Sequence, residues 1–185
     1  HPDLESVGGG RGYLETFPTE KELFEYDVVF LGDVGIGTKQ LTPQDCVNLK
    51  QRVRSQAGGL VFLPGFRGFQ NSLQTSELEE LYPVVLDQAH PKGHGSSRPA
   101  RFALTEAGRR SLLTRLEPDD GANETVWNAL PGFQWYAAAQ RAKIGSQVLA
   151  THDSESSAYG RVPLIATRTV GTGKVLFMGS DGAWR

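Results

Sequence analysis

A chain of 185 residues with a net charge of −2, 38% apolar and 22% charged residues, has the makeup of one globular domain able to bury its own core. The near-neutral balance excludes electrostatic capture of nucleic acid or of an acidic membrane surface. No apolar run approaches the roughly 20 residues that span a bilayer, and one cysteine, Cys46, excludes a disulfide framework and a multi-cysteine metal site.

The chain starts His1-Pro2-Asp3 without a signal-peptide pattern and stops at Trp184-Arg185 directly after a strand-like run, so it reads as a domain taken from a longer protein. Residues 1–19, with Gly8-Gly9-Gly10, read as loop, and Thr19 caps a short helix over Glu20–Phe24. Tyr26–Asp33 contains four consecutive apolar residues bounded by Gly32, the pattern of a central strand covered on both faces. Thr42-Pro43-Gln44-Asp45 starts a helix, with a capping threonine, proline at the first helical position and an acid at the positive end. Cys46, Leu49 and Val53 then form its buried stripe, which makes Cys46 a small core residue rather than a reactive thiol.

Gly58-Gly59 ends that helix, Leu60–Leu63 is a strand, and the chain turns sharply at Pro64-Gly65. Strand, helix and strand over residues 26–63 make a βαβ unit, hence a parallel sheet with a right-handed crossover. Beyond the elbow, Ser76–Leu81 reads as a helical turn, Pro83–Leu86 as extended, and residues 87–100 as a loop. His90 and His94 in that loop have the spacing of metal ligands on a helix, but Pro91 and Gly93 between them remove the helix. Arg101–Thr105 is extended, and Thr105 caps a helix carrying Leu112, Leu113 and Leu116. Asn123-Glu124-Thr125 is a glycosylation sequon, and the aromatics from Trp127 to Tyr136 fill a core or line a pocket. Lys143–Ala150 is a strand, His152–Tyr159 a polar turn, and Pro163–Arg168 and Lys174–Met178 are strands joined by a hairpin at Val170–Gly173.

Three ordered blocks resemble the class I glutamine amidotransferase-like family, and more narrowly the amidotransferase-like domains of large bacterial membrane proteins, often beside von Willebrand A-type domains. They are Tyr26–Asp33 with its following helix; Gly58–Gly65 with Leu78–Val84; and Gly160–Ile165, Gly171–Phe177 and Gly179–Arg185. The resemblance implies a three-layer α/β/α, flavodoxin-like sheet, mostly parallel with antiparallel edge strands, whose first strand would precede His1. Family members carry a cysteine in a Gly-x-Cys-x-Gly elbow, with a late His and Glu as base and orienting group. Here the elbow position falls at about Gly65, Cys46 lies on the preceding helix, and no His follows His152.

The resemblance therefore implies a catalytically inactive domain, without cofactor or metal, that binds or scaffolds within a larger membrane-anchored bacterial envelope protein. Its partners would be the other domains of that protein. The alternative is a hydrolase or carbohydrate-binding domain using the crevice beyond Asp33 and Gly65, with Phe66, Arg67, Asp181 and Trp184 as the accompanying site residues. Arg67 offers a planar fork for an anionic group and Trp184 a stacking face for a sugar. A pure interaction module would instead show no concave pocket at the elbow and an exposed apolar patch elsewhere.

Overall fold

The computed structural model describes residues 17–37 and 41–180; most of the glycine-rich opening stretch and the closing residues 181–185 lie outside them. Helix α1 (Glu20–Leu23) starts at a capping box in which the Thr19 hydroxyl accepts from the Glu22 N–H and the Glu22 carboxylate accepts from the Thr19 N–H. Strand β1 (Val28–Leu31), helix α2 (Pro43–Ser55) and strand β2 (Gly59–Phe62) follow, with β1 and β2 parallel. The expected βαβ unit is thus present, but β1 is an edge strand with Val28 and Phe30 exposed, not the central strand covered on both faces that its apolar run suggests. Cys46, Leu49 and Val53 form the buried face of α2, and Arg52 lies buried beside them. The Arg52 guanidinium donates to the carbonyls of Leu23, Tyr26 and Gln56, so it ties α1, the entry to β1 and the end of α2 together.

After the elbow the chain departs from the expected three-layer, mostly parallel sheet. Residues Phe69–Thr75 and Glu79–Leu81 form 3-10 turns in place of a crossover helix. The chain then enters two small antiparallel ribbons: β3 (Val84–Leu86) with β7 (Ala139–Ala142), and β4 (His94–Ala100) with β6 (Phe133–Tyr136). Three further strands, β8 (Ser146–Ser157), β9 (Gly160–Val170) and β10 (Gly173–Met178), join to β5 (Phe102–Leu104). The six-stranded sheet has the order β1-β2-β10-β9-β8-β5. Only its β1–β2 and β2–β10 pairs are parallel; β10–β9, β9–β8 and β8–β5 are antiparallel. The physical reason is connection length. A two-residue hairpin can return the chain only antiparallel, whereas a parallel return needs a crossover of a dozen residues or more. The flavodoxin-like, amidotransferase-type sheet is corrected accordingly. No helix among the described residues is long and apolar enough to cross a membrane.

The main core lies on one face of the sheet, where Leu49 and Val53 of α2 meet Leu60, Phe62, Val175 and Phe177. Leu176, which alternation turns to the opposite face, packs against a smaller cluster of Trp127, Leu149, Ala150 and Ile165. Helix α4 (Asp120–Ala129) supplies Trp127 to that cluster, and helix α3 (Glu106–Arg110) supplies Ala107.

Four local expectations also change. The helix capped by Thr105 stops at Arg110, because Ser111 turns extended and caps a 3-10 turn, leaving Leu112, Leu113 and Leu116 exposed. Residues 94–100 pair as β4 despite their Gly-Ser-Ser-Arg-Pro composition. The polar stretch from His152 to Ser157 continues β8, and the turn narrows to Ala158-Tyr159. The sequon asparagine is buried in α4, where Asn123 Oδ1 accepts from the N–H groups of Leu116 and Glu117.

Candidate functional site

The parallel trio β1, β2 and β10 ends on one side of the sheet, at Asp33, Pro64-Gly65 and Gly179-Ser180, and this is where sites gather in open α/β sheets. At the elbow, Asp33 turns its carboxylate onto the backbone: Oδ2 accepts from the Arg67 N–H at 2.9 Å, and Oδ1 from Phe69 at 2.9 Å and Gln70 at 3.4 Å. The 3-10 turn that begins at Phe69 has Gly68 at its cap position and no side-chain cap of its own, so Asp33 provides one from the neighbouring strand. Gln70, buried beneath, donates to the Leu31 carbonyl at 2.8 Å and accepts from the Tyr82 hydroxyl at 2.6 Å. The Tyr82 ring stacks on Phe62 with centroids 3.8 Å apart. Burial raises the Tyr82 phenol well above its ordinary value, with the nearby Asp33 charge adding to this, so it stays a donor.

This network fills the elbow at Gly65, the position to which the amidotransferase resemblance would assign a nucleophile. A Cβ on Gly65 would lie 2.8 Å from both Cβ and Oδ2 of Asp33, closer than atoms pack, so the turn accepts only glycine without rearrangement. The void beyond the elbow holds about 10 Å³, the space of a single water. Phe66 and Arg67 point outward, exposed, with the guanidinium carbon 6.0 Å from the Phe66 ring centre. Asp33 and Gly65 are brought together; Phe66 and Arg67 adjoin them on the solvent side; Asp181 and Trp184 lie outside the described residues. Cys46 is buried in the main core, and burial raises its thiol above the usual value.

Asp87, His90 and Ala138 line both the elbow void and an adjoining cleft of about 390 Å³, within the size range of small-ligand sites. Its walls come from the ends of both ribbons and from the β8–β9 hairpin. Just after β3, Asp87 Oδ2 accepts from His90 Nδ1 at 2.7 Å and Oδ1 accepts from the Ala89 N–H at 2.9 Å. The His90 bond, the Ala89 bond and the neighbouring imidazoles lower the Asp87 carboxyl below its ordinary range despite some desolvation. This pairing leaves His90 Nε2 as the face the ring can offer a ligand.

Gly93, at φ 70°, lets the backbone turn against Tyr136, since a Cβ there would lie 2.4 Å from the Tyr136 carbonyl oxygen. The turn carries His94 to a ring distance of 4.8 Å from His90 and 5.3 Å from Tyr136. Opposite stand Gln140, Glu155, Ser156 and Tyr159. Tyr159 is 66% exposed, with the Arg141 guanidinium 5.3 Å from its ring centre. The Ser157 hydroxyl lies at the wall but is engaged with the Gln140 carbonyl. Behind the wall His152, only 2% exposed, packs edge-on against Tyr136 and Phe133. No group of three or more His, Cys, Asp or Glu side chains among the described residues is arranged to hold a metal ion.

The histidines were visible in the sequence as a pair four residues apart, but their meeting with Tyr136, Glu155 and Tyr159 depends on ribbon pairings that no local pattern announces. The cleft can hold hydroxyl groups through carboxylate and imidazole acceptors and amide donors, with aromatic surface at the rim.

No protein-family model and no curated protein matches the chain. Solved structures do. Two cytoplasmic proteins of Salmonella typhimurium align with TM-scores of 0.66 and 0.67 at 18% and 20% identity, covering 90% and 91% of this chain. The chain spans 65% and 66% of their length, just under two thirds. The mmIFT52 N-terminal domain aligns with a TM-score of 0.52 at 16% identity, over 91% of this chain and 76% of that domain. At these identities the likeness is one of fold.

Proposed function

We propose that this is a non-catalytic binding domain whose cleft, beside the sealed elbow, takes a small neutral polyhydroxylated ligand of the carbohydrate class. One observation carries it: the place of a nucleophile is filled by a carboxylate bound to backbone, while the adjoining 390 Å³ cleft is open and polar, with an exposed aromatic ring at its rim. Sugar hydroxyls are satisfied by the groups that converge there, Asp87, His90, Gln140 and Glu155, and a pyranose face packs on a ring such as Tyr159.

Titration of the chain with a panel of neutral mono- and disaccharides, followed by amide chemical shifts, tests this. Binding should move resonances of His90, Glu155 and Tyr159, and Tyr159→Ala should weaken it roughly tenfold. Shifts confined to other surfaces, or none across the panel, would refute it. One observation favours a protein-docking role instead: Leu112, Leu113 and Leu116 stand 85%, 62% and 51% exposed in and just after one short 3-10 turn. Serine at Leu112 and Leu113 would abolish such docking and leave saccharide shifts unchanged.

A further inference from the structure

Strand β8 is deformed where it forms the cleft wall. Thr151 pairs with Pro163 and Ser156 with Arg161, so residues 152–155 of β8 stand opposite Val162 alone. Such a bulge leaves backbone N–H groups without ladder partners. Two of them, from Ser154 at 3.2 Å and Glu155 at 3.0 Å, converge on His152 Nδ1. Two donors aimed at one ring nitrogen are met by its lone pair, which is free when the ring is neutral and carries its proton on Nε2. That Nε2 is buried without a hydrogen-bond partner, among the rings of Tyr136 and Phe133. The same Nδ1 lies 3.0 Å from Asp153 Oδ1, and the Ser154 hydroxyl stands beside both, 3.4 Å from Nδ1 and 3.3 Å from Asp153 Oδ1. A single atom therefore faces two alternative sets of partners. Unprotonated, it accepts from the bulge; protonated, it donates to Asp153 and sets its own hydrogen against those of the two N–H groups.

We propose that His152 is a positioning residue that folds the β8 bulge in its neutral form, setting Glu155 and Ser156 in the cleft wall, and releases that wall when acidification transfers Nδ1 from the bulge amides to Asp153. The proposal rests on the cleft being the ligand site. The groups facing the ring are few. Asp153 and Glu155 on β8 favour the cation, while Arg161 on β9 and the burial itself oppose it. Tyr136 on β6 is a neutral phenol, raised chiefly by its own burial. Phe102 on β5, the residue paired with His152, and Phe133 on β6 carry no charge. Burial is the largest influence and holds the ring neutral to lower pH than a free imidazole. The swap therefore falls at lower pH than the titration of a free imidazole.

The test is a pH titration of the chain from about pH 8 to about pH 5, reading ring nitrogen resonances and the Ser154 and Glu155 amides. At the alkaline end Nδ1 should be unprotonated. On acidification both amides should shift with the midpoint of the ring and exchange with solvent roughly tenfold faster, the scale of one lost hydrogen bond. His152→Asn offers an acceptor near the position of Nδ1 but cannot titrate, so its two amides should hold their alkaline positions throughout. Asp153→Asn, at a half-exposed position, removes the partner of the protonated ring and should lower the midpoint. A ring protonated on Nδ1 at the alkaline end, amides that ignore the ring, or a step that persists in His152→Asn would each overturn the proposal. None of these readouts needs a ligand, so a failed saccharide panel and a failed switch are separate results. Where a saccharide binds, its affinity should fall with the same midpoint in the natural chain, and that component of the fall should be absent in His152→Asn.

Discussion

Replacing Asp33 by alanine separates a cap from a ligand contact. The substitution removes two well-formed bonds of 2.9 Å, to the Arg67 and Phe69 N–H groups, and a longer one of 3.4 Å to Gln70. Charge-assisted bonds are worth about 1.5–3 kcal/mol when shielded. Arg67 and Phe69 are exposed and Asp33 is half-buried, so water replaces part of the loss. About 1 kcal/mol for each of the two short bonds, together with the loosening of the turn they start, gives a destabilisation of about 2–3 kcal/mol. In a domain of this size that lowers Tm by about 5–10 °C. Urea unfolding should show a lower midpoint at unchanged slope, which marks a change in stability alone. Asp33→Asn keeps one acceptor oxygen and should lose about half as much. A loss below about 0.5 kcal/mol would refute the capping role. So would intact stability accompanied by loss of a bound saccharide, since the carboxylate would then belong to the ligand.

Gly65→Cys introduces the residue type of an amidotransferase elbow, yet its Cβ meets Asp33 at 2.8 Å, so the variant should lose about 1–3 kcal/mol and release no ammonia from glutamine. Ammonia above the blank, abolished by alkylating the new thiol, would contradict this. Asn123→Ala removes the acceptor of the Leu116 and Glu117 N–H groups, which water partly replaces, and should cost about 1–2 kcal/mol by denaturant unfolding, while the natural asparagine should remain unglycosylated in a host that modifies sequons. The His152 pKa is lowered in the folded state from an ordinary value of 6.5, so its contribution to stability is fully present above that value and is lost as pH falls through it toward the folded-state value. Unfolding midpoints should therefore decline on mild acidification more in the natural chain than in His152→Asn.

Much of the first third of the fold was legible because its signals are local. Thr19 and Thr42 carry capping chemistry on the residue itself, and the α2 stripe of Cys46, Leu49 and Val53 follows helical spacing. The closing hairpin of β9 and β10 was equally plain, with two branched-residue runs around Gly171-Thr172-Gly173. What could not be read was strand order. β10 sits beside β2, more than a hundred positions away in sequence, and nothing in either strand names its partner. β4 was hidden because glycine, serine and proline have low strand preference, and pairing with β6 overrides that preference. The run from His152 to Ser157 looked like a turn for the same reason: polar residues continue a strand when one of them, His152, satisfies the bulge from within. The cleft was invisible as a unit, although its histidines were not, since it joins two ribbons and a hairpin.

The elbow shows why a scaffold of this shape need not carry chemistry. A nucleophile at Gly65 requires an empty volume and free hydrogen-bond donors close to it, because those donors must be available to developing charge. Asp33 removes both at once. Its Oδ2 stands 2.8 Å from where a Cβ would be, and its two oxygens engage the amides of Arg67, Phe69 and Gln70 that could otherwise have formed an anion hole. Folding the turn and catalysing at it are thus competing uses of the same few atoms, and in this chain folding has them. The cleft next door is under no such competition. Asp87 needs one oxygen for Ala89 and one for His90, and that pairing orients an imidazole toward open space instead of closing it. Recognition can therefore move one loop away from the strand ends without disturbing the turn that holds them.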